Sequence, residues 1–383
     1  MSRYCEKFIL KDLKKKMVFI GGPRQVGKTT LSKALIKAIS GPSQYFNWDV
    51  DEDRKAIRNK LWATNNQLII FDELHKYPKW KNWIKGVYDS KPSHQQYIVT
   101  GSARLDVYKR GGDSLMGRYH YWRLHPFTLD ELPTRISPQE SYERLLSLGG
   151  FPEPFLSGDE REARRWRRER FDRILREDIR DLEQIRHPQL LSLFVDALRE
   201  RVGSTVTLTN IAQDLEISPN TAKSWLSLIE RMYIGFSIKP LIKNISRAIQ
   251  KPPKFYFYDN ADVIEKETIG ARLENLVATT LLKRLNFIED YHGYRCQLHY
   301  IRDKEGREVD FAVIIDNKLI DLIEVKTSET NISTSLKYYH QKLKPKRSIQ
   351  IVGNLKRPFD SEGVHVTNPI DFFKDPPWKI ENL

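Results

Sequence analysis

Gly22-Pro23-Arg24-Gln25-Val26-Gly27-Lys28-Thr29 decides how the first third of this 383-residue chain folds. The stretch fits G-x-x-x-x-G-K-[ST]. Its flanks are the ones that pattern requires: an apolar run before it, Met17 to Ile20, and a helical pattern after it, Thr29 to Ile39. Glycines let the backbone curl until its amides face one point, and the positive end of the following helix adds to the field there. Such a cradle suits phosphate groups. Gly22 to Gly27 would supply the wall, Lys28 the charge on the β- and γ-phosphates, Thr29 a Mg²⁺-binding hydroxyl, and Thr30 the next residue of the helix start.

Leu68-Ile69-Ile70-Phe71-Asp72-Glu73 is the matching partner. An apolar run ending in two acids sets carboxylates at the C-terminal edge of a buried strand, where ligands bind in open α/β sheets. Asp72 is expected to hold Mg²⁺, directly or through water, and Glu73 to act as general base toward water. Tyr97-Ile98-Val99-Thr100-Gly101-Ser102 is a further strand, expected to end between the two motifs with Thr100 or Ser102 near the γ-phosphate. Arg118, just before the last strand of the region, is a candidate finger toward a neighbouring subunit's phosphate, with Arg104 and Arg110 as rivals.

Outward from this region, short apolar runs at Met17–Ile20, Tyr45–Trp48, Leu68–Phe71, Tyr97–Thr100 and Tyr119–Leu124 alternate with helical patterns, which predicts a mostly parallel sheet. Residues 141 to 240 read almost wholly as helix. Strands return from Lys254 onward, after which a helix from about Gly270 to Leu285 precedes the later ones. Hydrophobic residues make up 40% of the chain, enough for more than one core, and the length exceeds one ordinary domain. No apolar run nears the roughly 20 residues that span a bilayer, and the N-terminal apolar stretches are broken by Lys and Glu, so neither membrane nor export is expected. Cys5 and Cys296 alone make no disulfide framework or zinc site, and fit free thiols in a reducing cytoplasm. The formal charge of +14 favours a polyanionic partner, above all DNA.

In the middle region, Thr207 to Leu215 followed by Ser218-Pro219-Asn220-Thr221 predicts a helix-turn-helix, with Ser218 as cap and Pro219 at the first helical position. Asn220, Thr221 and Lys223 would be its DNA-facing residues. The competing reading is a packing module without DNA contact. Arg161 to Arg180 predicts an arginine-rich helix whose charges serve either intrahelical pairs or a phosphate backbone.

Farther on, Glu308 to Ile315 and Leu319 to Val325 predict a hairpin. It would place Asp310 beside Glu324, with Glu324 and Lys326 on one face. Two carboxylates and a lysine can hold a divalent ion, Mg²⁺ or Mn²⁺, and orient water for phosphodiester cleavage. Glu274, in the preceding helix, could add a further carboxylate.

Taken together, Gly21–Thr30, Leu68–Glu73, Val99–Ala103, Ser114–Arg118, Leu148-Gly149-Gly150-Phe151-Pro152, the helix-turn-helix, Lys254–Asp259, Leu273–Val277, Glu308–Phe311 and Ile323–Lys326 resemble prokaryotic AAA+ ATPases with a C-terminal domain of uncharacterised function and a PD-(D/E)xK, restriction-endonuclease-like core. Two positions depart from that pattern: Asp259-Asn260-Ala261 stands where Asp-x-Gly is expected, and no Pro precedes Asp310. The resemblance implies an α/β protein with an ASCE-type P-loop sheet over 1–135, a helical lid over 136–200, a winged helix-turn-helix over 201–255 and a nuclease-like α/β domain over 256–383. It also implies ATP with Mg²⁺, homo-oligomers, often rings, and ATP-driven work on DNA. Three functions follow as expectations: an ATP-dependent DNA-processing enzyme with a metal nuclease; a nucleotide-controlled DNA-binding switch or assembly factor with a non-catalytic C-terminal domain; and a protein-remodelling ATPase.

Overall fold

The computed structural model describes residues 3–101, 115–131, 135–175, 188–241, 251–263 and 270–374. The chain divides into two compact units, Met1–His125 and Pro126–Leu383.

In the first unit, α1 (Glu6–Leu13) and β1 (Met17–Gly21) are followed by α2 (Lys28–Lys37), β2 (Ser43–Asn47) and α3 (Asp51–Asn59). Then come β3 (Leu68–Asp72), α4 (Trp80–Asp89), β4 (Gln96–Thr100) and β5 (Tyr119–Arg123). The five strands form one sheet in the order β2-β3-β4-β1-β5, with every pair parallel. β1 and β3 are buried at every position, which is why they read as unbroken apolar runs: a central parallel strand is covered on both faces. The edge strands β2 and β5 are half-buried and carry Ser, Gln, His and Arg among their aromatics. β4 sits between β1 and β3, so the ends of all three strands meet at one edge. Phe19, Phe46, Trp48, Phe71, Trp80 and Tyr97 fill one core of this unit.

The second unit opens with helices: α5 (Pro138–Ser147), α6 (Pro152–Ser157), α7 (Glu160–Arg173), α8 (Pro188–Arg199), α9 (Leu208–Asp214) and α10 (Pro219–Arg231). β6 (Gly235–Pro240), β7 (Lys254–Phe257) and α11 (Gly270–Phe287) follow, then β8 (Cys296–Arg302), β9 (Glu308–Ile315) and β10 (Lys318–Lys326). The unit closes with α12 (Thr334–Leu343), β11 (Arg347–Val352), β12 (Phe359–Ser361), β13 (Val364–Thr367) and α13 (Pro369–Phe372). Its sheet is mixed, in the order β12-β13-β11-β10-β9-β8-β6-β7. A single apolar cluster runs from Phe127 through the helices to Ile351 on β11 and Phe373. The expected boundary at 255/256 falls inside β7, whose partner β6 also pairs with β8.

Two sequence signals acquire a physical reason here. Ser218 Oγ accepts from the Thr221 amide at 3.0 Å, with Pro219 opening α10, as the capping pattern predicted. In the Gly-Gly-Phe-Pro element, Gly149 has φ +85°, and a Cβ there would lie 1.9 Å from Asp259 Oδ1. Phe151, two residues on from Gly149, is fully buried, with the Arg170 guanidinium 4.0 Å from its ring centre.

Candidate functional site

The phosphate loop leaves β1 at Gly21 and enters α2 at Lys28, with Gly27 as the residue before the helix. Gly22 takes φ +142°, and a Cβ there would lie 2.3 Å from the Leu124 carbonyl oxygen. A side chain at 22 would therefore push the loop off the end of β5. Lys28, almost fully buried, donates from Nζ to the carbonyls of Gly22 (3.0 Å) and Pro23 (2.7 Å), so its ammonium spans the loop. Pro23 and Val26 are buried, Arg24 and Gln25 half-buried, and Thr30 is exposed on the first turn of α2. Arg3 braces the loop from outside: it donates to Val26 O at 3.0 Å and His125 O at 2.6 Å.

Asp72, at the end of β3, is 2% exposed. A carboxylate that deep needs donors, and three hydroxyls supply them: Thr29 Oγ1 at 2.7 Å, Tyr45 OH and Thr100 Oγ1. The sequence motif and the acid motif, 43 residues apart in Thr29 and Asp72, thus touch. Burial, then the bond to Asp72 and its charge, push the Tyr45 phenol well above its usual range. Thr100 also accepts from the Glu73 amide at 3.4 Å, so β4 links the two acids. Glu73 has φ +55°. Its carboxylate lies 3.7 Å from His75 Nε2 and 3.8 Å from Lys76 Nζ. Burial holds His75 below the ordinary imidazole range, more than the nearby Glu73 charge restores.

Ser102, Arg104 and Arg110 lie outside the described residues. Arg118 precedes β5, and its carbonyl accepts from Met17 N at the start of β1. It therefore sits at the opposite edge of the sheet from Lys28 and Asp72, about five strand residues, roughly 16 Å, away. Asp89 holds it bidentately, at 2.7 and 3.1 Å, and Arg118 lowers the Asp89 pKa in return.

The hydroxyl of Thr29 against the carboxylate of Asp72, with the loop that Lys28 spans, is a donor set that fits a magnesium-bound triphosphate. The C-terminal carboxylates are arranged differently. Lys254, 1% exposed at the start of β7, places Nζ 3.2 Å from Glu274 Oε1 on α11, and 2.6 Å from Glu308 Oε1 and 3.1 Å from Asp310 Oδ1 on β9. Tyr256 OH donates to Glu274 at 2.7 Å, and the Val325 amide to Asp310 Oδ2 at 3.0 Å. Glu324 turns instead to Lys326, at 3.1 Å, and its Oε2 is buried without a hydrogen-bond partner. Burial, with the Asp310 charge, pushes Glu274 up to about 7 and Glu324 up to about 8. Burial opposes the Lys254 charge, but Glu274, Asp310 and Glu308 outweigh it and keep the ammonium protonated far above neutral pH. Among the described residues, no three His, Cys, Asp or Glu side chains are arranged to hold a metal ion. The spacing suggested Asp310, Glu324 and Lys326 at one point; Asp310 and Glu274 instead contact Lys254, and Glu324 contacts Lys326.

Sequence reasoning missed Tyr45, Arg3, His75, Lys254, Tyr256 and Glu308. A signal existed for Lys254: a lysine opening the apolar run Phe255 to Tyr258 must either face water or meet acids. For Tyr45 and Arg3 the partners are set by strand order and by the loop path, which no local pattern carries.

An all-parallel sheet with a strand inserted between the phosphate loop and the acid-bearing strand defines an additional-strand P-loop ATPase-type domain. Consistently, residues 14–133 match the family model of an AAA domain. Residues 139–263 and 269–371 match two models, each described as a domain of unknown function (DUF8612 and DUF4143). Uncharacterized proteins of Mycobacterium bovis and Mycobacterium tuberculosis are each 23% identical over 333 residues, 84% of this chain and 73% of theirs. Among solved structures, the RuvB Holliday junction branch migration motor of Thermotoga maritima overlaps 64% of this chain and 92% of its own, at 15% identity and TM-score 0.32. A Pif1 helicase from Bacteroides overlaps 39% and 49%, at TM-score 0.24. No helix among the described residues is long and apolar enough to cross a membrane.

Proposed function

We propose that this protein binds and hydrolyses ATP and uses the cycle to control its hold on DNA. The observation that carries the first half is the contact of Thr29 with Asp72 beneath a loop spanned by Lys28. The loop amides and Lys28 would take the phosphates, and Thr29 with Asp72 would hold Mg²⁺. That ion, when bound, would spread the negative charge that builds on the phosphates. Glu73, at the strand edge and linked through Thr100 to Asp72, would take the proton of the attacking water. Thr100, which contacts both acids, or Ser102 would register whether the terminal phosphate is present.

Arg118 faces away from its own site, so a finger role requires a second copy of the chain. A homo-oligomer is then part of the proposal, and mixing Arg118→Ala with Lys28→Ala chains would partly restore ATP turnover if the sites are shared.

For DNA, the supporting feature is the surface of α7. Arg161, Arg164, Arg165 and Arg168 are exposed, and Arg164 pairs with Glu160 at 3.4 Å. Arg164, Arg167 and Arg168 also line a concave cavity of about 770 Å³ with Arg199, Arg272 and Phe171; Asp172, Asp196 and Asp262 line it too, and the last two pair with Arg199. Guanidinium groups around a concavity suit a phosphodiester backbone. Asn220 and Lys223, exposed on α10, would contribute from the helix-turn-helix. The test is DNA affinity against salt concentration for wild type and Arg164→Ala/Arg168→Ala. Two lost phosphate contacts reduce the salt slope by about 2. Absence of any DNA binding at low salt points instead to a protein-remodelling ATPase.

DNA cleavage would need a divalent ion on Asp310 and Glu324. The division of these acids between Lys254 and Lys326 favours a C-terminal domain that does not cut.

A further inference from the structure

We infer that the ammonium of Lys254 is the resident cation of the C-terminal acid cluster, standing where a hydrolytic domain of this topology would need its metal. The cluster is assembled from three elements. β7 supplies Lys254, α11 supplies Glu274, and β9 supplies Glu308 and Asp310. Three carboxylates from two elements converge on one Nζ within 3.2 Å. Lys254 is 1% exposed, so this is no surface pair that exchanges with water.

Two of these acids have further donors. Asp310 Oδ2 accepts from Val325 N, and Glu274 Oε1 from Tyr256 OH as well as from Lys254. Glu324, the acid that would complete a metal site, is drawn by Lys326 and contributes no oxygen to the Lys254 group. A magnesium ion requires close to six oxygens at about 2.1 Å in near-octahedral order. Here the carboxylates it would need are split between two ammonium groups, and displacing Lys254 would bury an unpaired charge, which is strongly unfavourable. The ammonium neutralises the acids and bolts helix α11 to strands β7 and β9, the structural part of a metal's work. It provides no Lewis acid for phosphodiester chemistry.

The test is a Mn²⁺ titration of the full-length, nucleotide-free protein, followed by the electron paramagnetic resonance signal of free Mn²⁺, on wild type, Asp310→Asn, Lys254→Met and the Lys254→Met/Asp310→Asn double variant. The inference expects wild type and Asp310→Asn to take up the same amount of Mn²⁺. It expects Lys254→Met to gain about one equivalent, and the double variant to lose that gain. Wild type holding one equivalent that Asp310→Asn removes would overturn it, as would a folded Lys254→Met that gains none. Should Lys254→Met fail to fold, the comparison of wild type with Asp310→Asn decides alone. ATP binding plays no part in this readout, so its outcome is separate from that of the nucleotide site.

Discussion

Replacing Gly22 by alanine probes the phosphate loop through one methyl group. That methyl would lie 2.3 Å from the Leu124 carbonyl oxygen, nearer than real Cβ atoms approach anything. Leu124 cannot retreat cheaply. Its amide donates to Gly21 O at 2.9 Å, Tyr4 OH holds the Arg123 carbonyl at 2.7 Å, and Arg3 holds the His125 carbonyl at 2.6 Å. The loop must therefore move, and φ +142° adds strain for any residue with a side chain. Strain of this kind costs about 1–3 kcal/mol. If some 2 kcal/mol of it opposes the binding-competent loop, nucleotide affinity falls about 30-fold. Equilibrium titration with a fluorescent ATP analogue in Mg²⁺ measures this directly. Gly86→Ala is the control: it lies in α4 with nothing within 4 Å of a new methyl. It should leave affinity unchanged and raise stability by about 0.5–1 kcal/mol. Gly22→Ala binding within about threefold of wild type refutes the reasoning.

Tyr45→Phe removes one of three hydroxyls from buried Asp72 and should destabilise the protein by about 1.5–3 kcal/mol in urea unfolding, the usual worth of a hydrogen bond to a charged group. A change under about 0.5 kcal/mol would mean that Thr29 and Thr100 suffice. The raised pKa of Glu324, from 4.5 to about 8, also fixes a sign. Its folded form holds a proton that the unfolded form releases, so its contribution is fully present below about pH 4.5 and is lost as pH rises through about 8. Stability of wild type measured from pH 5 to 8.5 should therefore fall relative to Glu324→Gln, and parallel curves contradict the assignment.

The phosphate loop, Asp72, Glu73 and every strand of the first sheet were legible because each is local: an apolar run, a spacing, a capped end. Asp310 and Glu324 were rightly placed on adjacent strands, since a hairpin is a short-range object. What they face was not legible, because Lys254 arrives from a strand more than fifty residues upstream. Arg118 was visible as an arginine before a strand, but only the parallel register with Met17 shows that it leaves the sheet at the far edge. The α/β pattern of the sequence runs to about Phe127, and the expected first domain ends at 135. In the fold, Lys283 binds Thr128 and Glu131 at 2.8 and 2.5 Å and Arg284 binds Asp130 at 2.9 Å, which ties the segment after Pro126 to α11.

Everything proposed for the first unit depends on Lys28 reaching bound phosphate. Binding and turnover of radiolabelled ATP at millimolar magnesium, by wild type and Lys28→Ala side by side, put this to the test. The account predicts saturable binding and steady release of phosphate by wild type, with both lost in the variant while its circular dichroism is unchanged. Equal binding and turnover by the two proteins, or none by wild type, would contradict it.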